Sequence, residues 1–398
     1  MAYQYTRQDL AFAEEARQFI RTNLDAGVKR KILSNQLPTR AEREAWQKCL
    51  AAKGWGAPSW PVEYGGTGWN VVQRHLFDEV LTEEGAPGYP VFGMTMLAPV
   101  LMRFGTQQQK DEILPAILSM DNFWCQGFSE PDAGSDLASL KARARLEGNE
   151  WVINGQKIWT TLAHEADKIF LLVRTSDAPK KQLGLSILLL DMDTPGVTVR
   201  PIITIDGHHE VNEVFFDDVR VSKDSMIGEE GKGWTYAKYL LGHERTSIAR
   251  IGQSRRELGR LRATAAKVPW KGGTLAEAEH FRRRHAQIAI RHRVLEETTL
   301  RLLEKVAAGE TSGAEANLLK IHGSEIQLDL AELWMDVVGA YSFAYAQAGV
   351  PAGAHLEQVA PWEADYVAGA YFNSRKVAIY GGSNEIQRNI IAKAELGL

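Results

Sequence analysis

Residues 123–135 read FWCQGFSEPDAGS, a short apolar strand that runs into a Glu-Pro turn and then into Ala133, Gly134 and Ser135. Glycine has no Cβ and proline fixes the angle at which the chain leaves the strand, so backbone N–H groups in such a loop can face a ligand. The stretch therefore predicts a ligand-binding loop, and the periodicity of the chain changes around it.

The sequence before this stretch has the apolar spacing of helices. Thr6 precedes an amphipathic pattern, and residues 41–53 repeat that pattern and end at Gly54, a residue type common at helix C-termini. Helical spacing resumes at 71–85 and continues through the apolar run that follows. We therefore predict an N-terminal helical domain over residues 1–122.

After the stretch the period changes to that of strands. Gly148-Asn149 and Asn154-Gly155 are turn signals, so the region that leads into QKIWTT at 156–161 is predicted to form hairpins. Further strands are predicted at 140–146, 169–174, 185–190, 197–202 and 214–221. Short strands and turns over roughly a hundred residues are typical of a β-barrel or sandwich, and we predict a middle β domain over residues 123–230.

Helical spacing returns after Gly231-Lys232-Gly233. The helical stretches are predicted at 234–266, 276–308, 313–345 and 361–395. Long helices joined by short connections favour an antiparallel arrangement, so residues 231–398 are predicted to form a C-terminal four-helix bundle. The predicted fold class is α+β.

Length and composition exclude several classes of protein. A chain of 398 residues is too long for one ordinary core, and 44% hydrophobic and 24% charged residues are globular values. The formal net charge of −4 argues against a nucleic-acid binder or a polybasic membrane surface. No apolar segment is long enough to span a membrane, and the N-terminus, charged from Arg7, lacks a signal-peptide core. A cytoplasmic protein is the expectation.

Cysteine and histidine spacing predicts neither a disulfide framework nor a metal site. Cys49 and Cys125 have no ligand-type spacing. His208-His209-Glu210 invites a metal interpretation, but neighbouring residues on a strand point to opposite faces and no third ligand is evident. We expect these histidines in a loop or at the rim of a substrate site.

Three motifs together resemble the flavin-binding set of the acyl-CoA dehydrogenase family. They are the loop at 123–135, QKIWTT at 156–161 and IYGGSNEIQRN at 379–389. The resemblance covers nearly the whole chain and implies an acyl-CoA dehydrogenase-like fold, FAD as the cofactor and an acyl-CoA as the substrate. A flavin ring needs an apolar slot, hydrogen-bond partners at its pyrimidine edge and a donor near N5, and these motifs offer all three.

The resemblance also implies which residues bind the flavin. The expected cofactor-binding residues are Gln126, Phe128, Ser129, Gly134, Ser135, Trp159, Thr161, Ser383 and Glu385. Ser135 is expected to meet oxygens of the substrate's pantetheine as well. The alternatives are an ordinary core tryptophan at Trp159 and a simple helix cap at Ser383 and Glu385. Asp132 departs from the family, which commonly has glycine there, but aspartate tolerates turn conformations.

Dehydrogenation of a thioester requires a carboxylate that removes the α-proton while the β-hydrogen leaves as hydride. In many relatives this carboxylate follows the tyrosine of the C-terminal motif, but here Gly381 follows Tyr380. Glu244, in LLGHERTSIARI at 240–251, stands where other branches of the family carry the base. The alternative is a glutamate paired with Arg245 on a solvated helix face.

The same resemblance gives Gly381 a second role. Its backbone N–H is expected to donate to the thioester oxygen and so to stabilise the developing enolate. Arg245 and Tyr380 are expected to contact the substrate. The charged runs at 141–145 and 282–284 are most simply solvated faces, although the second lies where a phosphate contact is conceivable.

The motifs by which a family member completes a neighbour's FAD site are degraded. The region EHFRRRHAQIAIRHR at 279–293 has arginines but no Phe-Gly. In MDVVGAYSF at 335–343, Asp336 stands where glutamine is expected, and an aspartate repels a pyrophosphate. We therefore expect an α2β2 heterotetramer with a homologous partner chain, and otherwise a homotetramer. The chain resembles the catalytic subunit of heteromeric bacterial acyl-CoA dehydrogenases.

The function expected from the resemblance is FAD-dependent oxidation of an acyl-CoA to the trans-2-enoyl-CoA in fatty acid or steroid side-chain β-oxidation. Electrons are expected to pass to an electron-transferring flavoprotein. Two alternatives stay open, a flavin monooxygenase or oxidase of the same fold and a non-catalytic subunit of a heteromeric dehydrogenase. A carboxylate at Glu244 argues against the first, and the intact flavin motifs argue against the second.

Overall fold

The computed structural model describes residues 4–243, 249–310, 313, 315–343 and 366–398. Its N-terminal part is helical: α1 (Arg7–Asn23), α2 (Ala26–Leu33), α3 (Arg40–Ala52), α4 (Val71–Glu83), α5 (Ala98–Phe104) and α6 (Gln107–Ser119). Thr6 caps α1, because its hydroxyl accepts from the Asp9 N–H and Asp9 bonds back to the Thr6 N–H. α2 has no counterpart among the predicted helices.

A single mixed sheet follows the N-terminal helices. Its strands are β1 (Trp124–Gly127), β2 (Arg143–Glu147), β3 (Glu150–Thr161), β4 (Lys168–Arg174), β5 (Leu185–Asp191), β6 (Val197–Ile203) and β7 (His209–Ser222). The strand order is β1-β4-β2-β3-β7-β6, and β5 also pairs with β4. The order of helices, sheet and further helices confirms the predicted α+β class.

The predicted turn at Asn154-Gly155 is wrong, because β3 runs without a break through both residues. The pairing of β3 with β7 changes register here, and β7 carries one extra residue between Phe216 and Val219. Asn154 closes the irregularity, since its side chain donates to the Asp218 carboxylate and accepts from the Asp218 N–H. Gly155 has φ +146° and lies so close to Ala142, the residue before β2, that a Cβ would stand 2.6 Å from the Ala142 Cα. Gly155 therefore allows close packing inside a strand and does not form a turn.

The C-terminal part is more broken than predicted. Its helices are α7 (Gly233–His243), α8 (Ile251–Ala265), α9 (Glu279–Ala307), α10 (Glu315–Val338), α11 (Val367–Ser374) and α12 (Asn384–Ile391), with a short hairpin of β8 (Pro269–Trp270) and β9 (Gly273–Thr274). The single helix predicted at 234–266 is wrong, because Arg250 has a left-handed backbone with φ 49°. The helix predicted at 361–395 is also wrong, because Gly381 and Gly382 have positive φ and separate α11 from α12.

One apolar core joins the N-terminal helices, the sheet and α7. It contains Leu97 and Leu101 from the N-terminal part, Phe170 and Ile187 from the sheet, and Leu240 from α7. The C-terminal helices have a core of their own, and an ion pair links them to the N-terminal part: Arg255 on α8 binds Glu79 on α4 at 3.1 Å. No helix within the described ranges is long and apolar enough to cross a membrane.

We expect Gly155→Ala to lower the free energy of unfolding by about 2–3 kcal/mol, because the new methyl group collides with the backbone of Ala142. Gly148→Ala is the matched control, since Gly148 also has a positive φ but a Cβ there would meet nothing within 4 Å. That variant is expected to lose about 1 kcal/mol. Denaturant unfolding of both variants checks the difference, and equal losses would contradict the close approach to Ala142.

Candidate functional site

The loop after β1 is a tight turn closed by its own backbone. The Glu130 N–H donates to the Ala133 carbonyl and the Ala133 N–H donates to the Glu130 carbonyl, both at 3.0 Å. Pro131 and Asp132 form the exposed tip, and the Asp132 carboxylate pairs with Lys141 at 2.9 Å. Aspartate at the position where the family commonly has glycine therefore leaves the turn intact.

A buried ion pair holds this loop against β3. Lys157 is 0% exposed, and its Nζ donates to a Glu130 carboxylate oxygen at 2.8 Å and to the Phe128 carbonyl at 3.1 Å. The Glu130 carboxylate also accepts the backbone N–H groups of Lys141 and Ala142. Burial lowers the pKa of Lys157 to about 8, although Glu130 opposes the shift. Both residues lie inside quoted motifs, yet sequence reasoning gave them no role.

The second motif ends in a bulge that exposes Trp159. Between Lys157 and Thr160, β3 carries one residue more than β7. Trp159 has a left-handed backbone with φ 60°, and its side chain is 57% exposed. The Ile158 N–H donates to the Ser129 carbonyl at 2.9 Å, so the bulge is tied to the ligand loop. Because an unusual backbone conformation holds this large indole out of the core, Trp159 is not an ordinary core tryptophan.

The predicted flavin residues of the first two motifs lie on segments that touch each other. Gln126, Ser129 and Thr161 are half-buried, and Gly134 and Ser135 are exposed beside open space. The Phe128 ring is buried edge-on against Phe170, so Phe128 offers its backbone to a ligand. An exposed indole, hydroxyl and amide groups and an uncovered glycine fit a flat heteroaromatic cofactor with a polar edge.

The third motif forms the loop between α11 and α12. Gly381 has φ 66° and Gly382 has φ 82°, and the Gln387 amide donates to both of their carbonyls. Ser383 caps α12 by accepting from the Ile386 N–H. Glu385 is exposed, and its own backbone N–H and the Ser383 hydroxyl lower its pKa. The geometry supports the capping interpretation of Ser383, and the exposed Glu385 carboxylate lies 4.0 Å from the Arg388 guanidinium.

A buried lysine lies behind this loop. Lys320 on α10 is 3% exposed, and its Nζ donates to the Asn384 side-chain carbonyl at 2.9 Å. Ser324 hydrogen-bonds the same amide. Burial lowers the pKa of Lys320 to about 8, although Glu385 opposes the shift. Sequence reasoning missed this contact, because no local pattern joins α10 to the start of α12.

The predicted base, Glu244, and its neighbour Arg245 lie outside the described residues. The helix before them, α7, is described to His243. Its Tyr236, Ala237 and Leu240 are buried in the core shared with the N-terminal helices and the sheet. The roles of Glu244 and Arg245 therefore stay predictions.

The histidines fill structural positions beside the sheet. The His208 ring stacks on Tyr366 with centroids 4.6 Å apart, and the His209 ring stacks on His164 at 3.7 Å. His164 and His209 also line a cavity of about 630 Å³ next to the Trp159 bulge. Across the described ranges no three His, Cys, Asp or Glu side chains come together as a metal site would require.

The arginine run of α9 meets carboxylates of its own chain. Arg284 binds Asp336 at 2.8 Å and Glu332 at 2.6 Å, both on α10. Arg291 pairs with Glu325 and Asp329 on the same helix. The solvated-face interpretation of 282–284 thus needs amending at Arg284, whose guanidinium is engaged by the residue that departs from the family's glutamine.

The three parts of the chain match three family models: "Acyl-CoA dehydrogenase, N-terminal domain" at 6–121, "middle domain" at 125–219 and "C-terminal domain" at 231–396. The acyl-CoA dehydrogenase IpdE1 of Mycobacterium tuberculosis is 40% identical over 361 residues, which cover 90% of this chain and 88% of IpdE1.

Two solved structures share the whole fold. One, described as the Tcur3481-Tcur3483 steroid ACAD, has a TM-score of 0.86 and 28% identity and covers 100% of this chain and 99% of the other. The other is the ChsE4-ChsE5 complex from Mycobacterium tuberculosis, with a TM-score of 0.84, 30% identity and the same coverage.

We expect Lys157→Met to lower the free energy of unfolding by about 3–5 kcal/mol, because it leaves the buried Glu130 carboxylate without its cation. Lys141→Met is the control, since it removes an exposed lysine that pairs with Asp132 in the same loop and should cost less than about 1 kcal/mol. Denaturant unfolding at neutral pH compares the two. A loss in Lys157→Met no larger than in the control would show that the buried pair does not hold the loop.

Proposed function

Because this chain belongs to the acyl-CoA dehydrogenase family and is an oxidoreductase that acts on the CH–CH group of an acyl-CoA, we propose that it binds FAD and produces the trans-2-enoyl-CoA. We propose an electron-transferring flavoprotein as the acceptor. The FAD assignment rests on one observation: the ligand loop is bound to the strand that carries the exposed Trp159. The Ile158 N–H donates to the Ser129 carbonyl, and Lys157 Nζ donates to the Phe128 carbonyl.

The residues that would hold the flavin belong to the three motifs. Ser129 and Gln126 would address the polar edge of the ring, Trp159 and Thr161 would lie against it near N5, and Ser135 would meet an oxygen of phosphate or pantetheine. When bound, the flavin accepts the β-hydrogen of the substrate as a hydride. The protein's contribution is to orient the thioester, exclude water and take up the α-proton.

The proposed base is Glu244. Gly381 occupies the position that carries the carboxylate in many relatives, and glycine has no side chain to take a proton. Glu244 follows directly on α7, whose buried face packs against the N-terminal helices and the sheet. Desolvation by a bound acyl chain would raise the pKa of the carboxylate toward the working range and so make it a better base.

Gly381 is proposed to stabilise the enolate through its backbone. Gln387 donates to the carbonyls of Gly381 and Gly382 and so holds the two peptide groups that follow the Gly381 Cα, while the Gly381 N–H, on the preceding peptide group, is the proposed donor to the thioester oxygen. Such a donor typically contributes about 3 kcal/mol to the transition state. Tyr380 and Arg245 are proposed to contact the substrate.

A hollow at the start of α7 suits the polar end of a CoA ester. It has a volume of about 370 Å³ and lies between residues 182–183 and 230–238. Lys232, Trp234 and Lys238 line it together with Glu230. The two ammonium groups can bind a phosphate and the indole can stack on a nucleobase, while the Glu230 carboxylate opposes an anion. This arrangement supports a CoA thioester as the substrate class.

The proposed assembly is an α2β2 heterotetramer. In a homotetramer each chain would present its α9 arginines to the phosphates of a neighbour's FAD, but Arg284 is held by Asp336 and Glu332 of its own chain. An anion approaching Arg284 would also meet those carboxylates. The two solved structures described above are each named for two different chains, which supports a homologous partner here.

We expect Glu244→Gln to abolish reduction of the flavin by an acyl-CoA, with a fall in rate of at least about 10³-fold, because a carboxamide cannot accept the α-proton. Anaerobic bleaching of the flavin absorbance with a panel of acyl-CoAs measures the rate, and FAD content is measured on the same sample. Glu304→Gln, at an exposed position of α9, is the control and should react like the wild type. Bleaching that persists in Glu244→Gln would refute the base.

The same samples discriminate between the alternative functions. Consumption of O2 that depends on NAD(P)H in an aerobic run would assign the protein to the flavin monooxygenases or oxidases. Complete absence of flavin from the chain and from its complex would make it a non-catalytic subunit.

We expect the chain expressed alone to purify with little FAD and little activity, and the chain co-expressed with its homologous partner to bind FAD tightly. The physical reason is that, in a homotetramer, Arg284 is held by carboxylates of its own chain and is not available to the phosphates of a neighbour's FAD. Flavin absorbance per protein and mass by light scattering measure both properties. A fully active homotetramer with stoichiometric FAD would overturn the heteromeric assembly.

A further inference from the structure

The Trp159 bulge is tied to β7 by one fully buried side chain. Asn212 is 0% exposed, and its Nδ2 donates to the Thr160 carbonyl at 3.0 Å. Thr160 pairs with Asn212 directly after the extra residue in β3. The amide therefore fixes the backbone at the point where the strand recovers its register, between Trp159 and Thr161.

Two histidines bind the remaining hydrogen-bonding groups of the same amide. Asn212 Nδ2 also donates to His164 Nδ1 at 3.2 Å, and Asn212 Oδ1 accepts from His209 Nε2 at 2.6 Å. Turning the amide over would place its oxygen against the Thr160 carbonyl, so the orientation is fixed. His164 Nδ1 must then be without a proton and His209 Nε2 must carry one. The rings stack with centroids 3.7 Å apart.

We propose that Asn212 is a positioning residue that sets Trp159 and Thr161 for the flavin, and that protonation of His164 releases it. The proposal rests on the proposed function only through the flavin. A proton on His164 Nδ1 would face the Asn212 amide with a second donor, and the amide would have to leave either His164 or the Thr160 carbonyl. The imidazole reaches solvent through the cavity of about 630 Å³ that it lines.

Charged groups surround the histidine pair on every side. Burial and the neighbouring His209 lower the pKa of His164, and Arg43 on α3 acts in the same direction while Glu165 opposes it. The other charged groups that line the cavity or bind its lining residues are Arg40, Asp167, Lys168, Asp191 and Asp193, and Glu210, which follows His209 in the chain, pairs with Lys376. The carboxylates at 167, 191 and 210 are each paired with a cation, so they do not dominate the titration of His164.

The first test compares Asn212→Ala with Asn154→Ala, which removes an amide from the other register shift of the same two strands. Hydrogen exchange of the full chain without flavin is followed at residues 158–162 and at 216–219. We expect exchange at 158–162 to rise about tenfold in Asn212→Ala and to stay unchanged in Asn154→Ala. Asn212→Asp, which keeps the acceptor for His209 but lacks both donors, gives the same comparison should the alanine variant not fold. Unchanged exchange at 158–162 in both Asn212 variants would overturn the proposal.

The second test uses the flavin-loaded protein in the assembly in which it is purified. We expect the dissociation constant for FAD to rise about tenfold between pH 8 and pH 5 in the wild type and to stay constant in His164→Gln, whose side-chain oxygen accepts from Asn212 without titrating. An equal pH dependence in both proteins would overturn the role of His164. The exchange experiment needs no flavin, so a failure of FAD to bind at all would count against the proposed function and leave the Asn212 result standing.

Discussion

The site depends on a charge that the protein has removed from water. Lys157 lies in the middle of β3 with no solvent exposure, and it is bound to the Glu130 carboxylate and the Phe128 carbonyl. Burying an ion is costly unless its partners are complete, and here the carboxylate is satisfied by the lysine and two backbone N–H groups. The pair forces the ligand loop to lie against the strand that carries Trp159. Every proposed contact with the flavin ring follows from that juxtaposition.

The sequence predicts the features that depend on residues close together in the chain and misses those that depend on residues far apart. The Thr6 cap, most strands and the turn after β1 follow from residues close together in the chain, and they form as predicted. Asn154-Gly155 does not form its turn, because pairing of β3 with β7 along its whole length outweighs the local preference for a hairpin. Lys157 binds a residue 27 positions away, and periodicity contains no signal for such a contact. The family resemblance predicts which residues bind the flavin but gives no role to Lys157, Lys320 or Asn212, which hold the motifs in place.

The departures from the family form a consistent set in physical terms. The missing carboxylate at Gly381 and the glutamate at Glu244 together move the proposed base from the loop before α12 to the segment that follows α7, and Gln387 binds the Gly381 carbonyl. Asp336 is bound to Arg284, so one substitution changes both the charge and the availability of the arginine. The contact between the first two motifs is kept beside an altered α9–α10 surface. This combination supports the proposed division of labour between two chains.

The two buried lysines each fix the position of a loop. Lys157 and Lys320 both have their pKa lowered to about 8 by burial, and each binds oxygen atoms of a loop that is distant in sequence. Replacement of a whole buried ion pair by well-packed apolar residues often gives equal or greater stability, so stability alone does not account for the pair of Lys157 and Glu130. An apolar side chain would leave the Phe128 carbonyl and the Asn384 amide without their donor and the loops without a fixed position. The lysines thus exchange stability for a defined geometry at the two ends of the proposed flavin site, where misplacement of about 1 Å is enough to slow a reaction greatly.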